Sequence, residues 1–210
     1  MQLYDPKKAN WECKFPLSRR DSILARGDKK GWYAEGKKKG KHVLTNNLRL
    51  DVSYVEGRIP KDFGSDAVEI PGARYFLSQL EDAGACWGVV TSGTRALIDG
   101  WLGILGLTHP KMLVVAEDVE SGKPDPRCYL LGRKRLGLEH SSSLVVLEDA
   151  PSGIRAGKAA GFKVIALTTT HSLAQLQEAG ADWIVEDLRS VSVKDVVDGR
   201  IELEIRNAYQ

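Results

Sequence analysis

The chain has little cysteine and no long apolar run, and each shortage excludes something. Only Cys13, Cys86 and Cys128 occur among 210 residues. An odd number with no CxxC spacing argues against a disulfide framework and against a thiolate zinc site. No apolar stretch approaches the roughly 18 residues of a membrane-spanning helix, and the start, MQLYDPKKAN, lacks the apolar centre of a signal peptide. A soluble chain in a reducing, cytoplasmic compartment is expected. Net charge is also small, at +2, but the charges are unevenly spread. Residues 1–50 hold 13 Lys and Arg against 5 Asp and Glu, whereas the remaining residues hold 17 against 23. A basic N-terminal part therefore precedes an acidic remainder, and the change marks an internal boundary.

The acidic part alternates two patterns. Helical stripes occur in GARYFLSQLEDAGA, RALIDGWLGILGL, DPRCYLLGRKRLGL, GIRAGKAAG and SLAQLQEAG. Between them lie short continuous apolar runs: CWGVVTS, KMLVVAED, LVVLEDA, KVIALTTT and DWIVEDL. Runs of Val, Ile and Leu without period-2 alternation indicate strands buried on both faces, and their alternation with helices predicts an α/β fold with a parallel sheet. Right-handed crossovers then bring all strand C-termini to one edge, where open α/β sheets hold ligands. Residues 14–50 show neither periodicity and are broken by Gly27, Gly31, Gly36 and Gly40, so this segment is expected to be largely disordered. Its Lys cluster is read as a solvated face in preference to a nucleic-acid patch.

Three strand ends carry groups with chemistry. In VVTSGTR, Thr91 and Ser92 leave a strand and Gly93 opens the backbone, which can present hydroxyl and N–H donors to an anion. In SGKPDP, Lys123 stands between Gly122 and Pro124, just before a helix. In LVVLEDAPSG, Glu148 and Asp149 close a buried strand. Each alone has a plain explanation as a helix cap or surface turn. Together they point to an anionic substrate and a hard cation, because paired carboxylates would otherwise repel the anion that the donors attract.

These residues carry a family resemblance. From about Tyr54 onward the chain resembles the haloacid dehalogenase (HAD) superfamily of phosphohydrolases, in particular its glycerol-3-phosphatase and 2-deoxyglucose-6-phosphatase branch. VVTSGT is similar to the second family motif, GKPDP to the third and VVLEDAPSGIRAGKAAG to the fourth, while EGRIPKDFGSDAVEIPG resembles the return from the helical cap to the core. The resemblance implies a Rossmann-like core and a Mg²⁺-dependent phosphatase of a small polyol or sugar phosphate. It implies that Thr91, with Ser92 and Gly93, binds the phosphoryl group, that Lys123 neutralises its charge, and that Glu148 and Asp149 hold Mg²⁺.

The family's first motif, a strand ending in Asp-x-Asp, supplies a nucleophile and a general acid–base. No such motif is present: Asp5 is followed by Pro and Lys, Asp28 lies in ARGDKKG, and Asp51 has Ser53 two residues on. The expected organisation is therefore a cap remnant over residues 1–12, resembling the last cap helix, a basic insert over 13–53 and a partial core over 54–210. That core is expected to lack its nucleophile strand: either the strands ending at Thr91 and Asp149 pair directly, or an N-terminal piece such as HVLTN fills the gap, since backbone groups left unpaired would cost about 1–3 kcal/mol each if buried. Cys13-Lys14-Phe15 can be encoded by a string containing a splice-donor consensus, so the insert is read as a translated intron in an N-terminally truncated chain. The alternative is a non-catalytic protein that binds phosphate compounds or a partner.

Overall fold

A computed structural model of the chain describes residues 2–4, 44–140, 142–197 and 200–209. The described strands and helices are β1 (Gln2–Tyr4), α1 (Leu44–Phe63), α2 (Ala73–Asp82), β2 (Gly88–Val90), α3 (Arg95–Leu105), β3 (Leu113–Val114), α4 (Arg127–Arg135), β4 (Val145–Glu148), α5 (Pro151–Ala159), β5 (Lys163–Leu167), α6 (Leu173–Glu178), β6 (Trp183–Val185), β7 (Val191–Val197) and β8 (Arg200–Ile205). The first six strands form one sheet in the order β3-β2-β1-β4-β5-β6, with all pairs parallel. Among the described residues no helix is long and apolar enough to cross a membrane.

Successive strand residues divide between two cores, one on each face of the sheet. Val89, Leu147, Ile165, Leu167 and Val185 join α2 and α3 residues such as Phe76, Leu80 and Trp101. Val90, Val146, Val164, Ala166 and Ile184 join Tyr129, Ile154 and Leu176 on the other side. Both sets are buried, and for this reason the strands read as continuous apolar runs.

Three expectations need correction. The position between β2 and β4 is filled by β1, where Leu3 is level with Gly88 on one side and Val146 on the other. The N-terminal stretch thus contributes a central strand of the core sheet, and the neighbours' inner backbone groups are paired. A three-residue strand suffices because β2 is itself only three residues long and β4 four. QLY was not read as a strand because it contains no apolar run. Residues 5–43, which hold most of the expected cap remnant and basic insert, lie outside the described residues. Secondly, residues 44–50, expected to be disordered, begin a helix. Helix α1 runs from Leu44 to Phe63; Gly57 and Pro60, both unfavourable inside helices, obscured its pattern. They are accommodated where α1 meets α3, Gly57 against Ala96 and Pro60 against Gly100. Thirdly, the chain ends in an antiparallel β7–β8 hairpin that the apolar pattern did not predict. Its strands are partly exposed, and Val193 N–H donates to Gln79 Oε1 of α2 at 3.3 Å.

Asp182 fastens one end of the sheet. Its carboxylate accepts from Lys158 Nζ (2.7 Å), Lys163 Nζ (2.8 Å) and the Val164 N–H (2.9 Å), joining α5, β5 and the approach to β6. Burial would raise its pKa, but the two ammonium groups and the N–H outweigh it and hold the carboxyl below its usual value. A carboxyl depressed by folding stabilises the protein above its unfolded pKa and loses that contribution as pH falls through the folded value. Asp182→Asn should therefore lower unfolding free energy by about 1 kcal/mol near neutral pH. In denaturant titrations the gap to the parent protein should close as pH falls below about 4.

Candidate active site

The strand ends expected to carry chemistry meet at one edge. Thr91 follows β2 and is 2% exposed. Its Oγ1 accepts the Gly93 N–H at 3.0 Å, a side-chain turn that leaves the hydroxyl proton to be donated elsewhere. Ser92 lies half-buried beside it, and Gly93 is buried. The following helix, α3, is capped by three acceptors: Thr94 Oγ1 takes the Leu97 N–H, Glu56 of α1 takes the Thr94 N–H at 2.9 Å, and Glu117 takes the Arg95 N–H at 3.1 Å. The Thr91–Gly93 turn is thus held between strand and capped helix.

Lys123 comes from the loop before α4. Arg127 braces that loop, donating to Asp125 through its backbone N–H and guanidinium and to Ser121 Oγ at 2.8 Å. These bonds hold the Asp125 carboxyl below its ordinary pKa. The Lys123 side chain is 2% exposed, and its ammonium donates to the Val90 carbonyl at 3.2 Å and forms an ion pair with Glu148 Oε1. Val90 ends β2 and Glu148 ends β4, the two neighbours of β1. The ammonium consequently lies across the edge at which β1 ends. Asp5, next in the chain after Tyr4, is outside the described residues.

Glu148 has a complete set of partners. Oε1 accepts from Lys123 and from the Tyr129 hydroxyl at 2.7 Å; Oε2 faces the Asp149 and Ala150 N–H groups at 3.2 and 3.4 Å. The Tyr129 ring also lies 4.9 Å from the Lys123 nitrogen, within cation–π range. Gly153, one turn into α5, leaves room for this carboxylate, since a Cβ there would overlap it. Glu148 is accordingly the counterion of Lys123 in this arrangement. Asp149, 4% exposed, is different. Its Oδ2 accepts from Thr170 Oγ1 at 2.8 Å. A hard carboxylate oxygen at a buried strand end fits Mg²⁺, which is commonly held by one or two carboxylates together with waters and substrate phosphate. Among the described residues no three Asp, Glu, His or Cys side chains form a ready-made cage.

Sequence reasoning named Thr91, Ser92, Gly93, Lys123, Glu148 and Asp149, and missed Tyr129, Gly153, Thr170 and the helix-capping Glu56. Tyr129 carries no motif of its own and lies within the helical stripe DPRCYLLGRKRLGL. Thr170 had a usable signal: it closes KVIALTTT, another strand of the same parallel sheet and so another end at the same edge.

This chain belongs to the haloacid dehalogenase-like hydrolase family, whose match spans residues 53–167, more than half its length. It is 40% identical over 161 residues to glycerol-1-phosphate phosphohydrolase 1 of Saccharomyces cerevisiae, covering 73% of this chain and 64% of that protein. It is 38% identical over 180 residues to 2-deoxyglucose-6-phosphate phosphatase 2 of the same yeast, covering 78% and 73%. The chain thus spans less than two thirds of the length of the glycerol-1-phosphate phosphohydrolase. In fold it is similar to a hydrolase from Pseudomonas syringae, with a TM-score of 0.60, 24% identity and 70% of each chain covered.

Gly153→Ala tests the packing around Glu148. Alanine in place of a helical glycine ordinarily stabilises by up to about 1 kcal/mol. Here overpacking against the carboxylate should reverse the sign and cost about 1–3 kcal/mol in chemical denaturation. A gain in stability would contradict the described contact.

Proposed function

We propose that this site is that of a Mg²⁺-dependent phosphomonoesterase for a small polyol or sugar phosphate, in a cytoplasmic setting. The observation that carries the reading is the position of Lys123, whose buried ammonium joins the ends of β2 and β4 beside the Thr91 turn and Asp149. A phosphoryl group at this edge would meet the Thr91 hydroxyl and the Ser92–Gly93 backbone on one side and the Lys123 ammonium on another. Asp149 would hold Mg²⁺, which when bound supplies further charge neutralisation. Oriented donors in a water-poor site stabilise the charge of phosphoryl transfer without reorganisation. The substrate class is brought to this chain from the names of its relatives, a glycerol-1-phosphate phosphohydrolase and a 2-deoxyglucose-6-phosphate phosphatase.

Covalent turnover requires more. A carboxylate oxygen must bond to phosphorus while the ester P–O bond breaks, the leaving alcohol must gain a proton, and a base must later activate water. Asp5 follows β1 in the chain, but Lys7 occupies the place of the second carboxylate. The chain as written is therefore proposed to retain phosphate-binding groups without efficient turnover. That same absence of an Asp-x-Asp pair favours the second reading, a non-catalytic binder of phosphorylated ligands.

Assay of the purified chain with glycerol phosphate and an aryl phosphate in Mg²⁺ should show no turnover above the level of its Asp5→Asn and Lys123→Ala variants. Completing the Asp-x-Asp pair after β1 with Lys7→Asp should restore hydrolysis. Asp149→Asn in that restored protein should lower both its rate and its dependence on Mg²⁺. A restored protein that folds but hydrolyses no small phosphate ester would overturn the phosphatase reading in favour of the binder.

A further inference from the structure

Asp149 is held by a loop that none of the recognised motifs contains. Residues 168–172 connect β5 to α6, and Thr170 projects from this connection onto the strand end at β4. Its hydroxyl lies 2.8 Å from Asp149 Oδ2 and 3.0 Å from the Asp149 carbonyl oxygen. A hydroxyl has one proton, and the carboxylate is the stronger acceptor, so the proton goes to Oδ2. His171 completes the arrangement, with Nδ1 2.9 Å from Thr170 Oγ1 and 3.0 Å from the same carbonyl. With the Thr170 proton engaged by the carboxylate, both of these neighbours act as acceptors, so Nδ1 carries a proton and donates. The network runs in one direction, from imidazole to hydroxyl to carboxylate.

A carboxylate on a single rotatable arm can present either oxygen to a cation and can swing away from it. With Oδ2 tied to Thr170 and the Asp149 backbone tied to the same loop, the side chain keeps one rotamer. Resting on the proposed metal-binding role of Asp149, we propose that Thr170 is a positioning residue that fixes this carboxylate for a divalent cation. His171 in turn fixes the hydroxyl's direction. Partners of this kind typically change metal affinity 10- to 100-fold when removed.

The test is Mn²⁺ binding by the full chain, followed by electron paramagnetic resonance of the free ion, so that turnover is not required. Thr170→Val removes the donor and should weaken Mn²⁺ binding by about 10- to 100-fold. Thr170→Ser retains the hydroxyl and should bind close to the parent chain. Asp149→Asn should weaken binding at least as much as Thr170→Val. Unchanged affinity in Thr170→Val beside a clear loss in Asp149→Asn would overturn the role of Thr170 and leave the metal site standing. Equal losses in the Val and Ser variants would also overturn it, because the hydroxyl would not be the cause. Absence of Mn²⁺ binding by the parent chain, or affinity unchanged by Asp149→Asn, would overturn the metal reading and this inference with it.

Discussion

The buried ion pair between Lys123 and Glu148 is the constraint on which the active edge depends. Both side chains are almost wholly excluded from solvent, at 2% and 0% exposure. Two charges in that setting persist only when paired and hydrogen-bonded, because each costs several kcal/mol to desolvate. The structure meets the condition with five contacts: the Val90 carbonyl and Tyr129 ring on Lys123, and the Tyr129 hydroxyl and two backbone N–H groups on Glu148. The result is a positive group held at the end of a sheet, close to where a phosphate would be received. Gly153 is required by the same arrangement, since only a residue without a side chain leaves room beside the carboxylate.

Sheet topology makes the pair possible. Lys123 reaches β2 and β4 because β1 alone separates them, so the ammonium spans a single strand. Burial on both faces fixes the strands' register through alternate residues such as Val146 and Leu147, which enter opposite cores. Outside this edge, ion pairs such as Lys163–Asp182 and Arg135–Asp118 fasten helices and loops to the sheet. They hold the frame without entering the site.

Much of this was legible in the sequence, for physical reasons that also set the limits. Continuous Val, Ile and Leu runs identify two-sided burial, and parallel strands force their C-terminal ends together. The joining of the Thr91, Lys123 and Asp149 segments at one edge was therefore accessible without coordinates. The central strand was not, because Gln2–Tyr4 is too short and too polar to show a period. Helix α1 was hidden by Gly57 and Pro60, whose propensities oppose a helix that packing against α3 supports. The division of labour between two adjacent carboxylates was equally hidden. Spacing alone cannot distinguish Glu148, turned toward a buried ammonium, from Asp149, turned toward Thr170. That distinction depends on residues far apart in the chain, Tyr129 and Thr170, coming within hydrogen-bond distance.

The most direct test of the central claim is a double-mutant cycle on the pair. Lys123→Met and Glu148→Gln should each cost about 3–5 kcal/mol in equilibrium unfolding, because each leaves one buried charge without its partner. The double variant leaves neither charge, so it should recover part of the sum, with a coupling energy of at least about 1 kcal/mol. Strictly additive losses would show that the two groups do not depend on each other and would contradict the account.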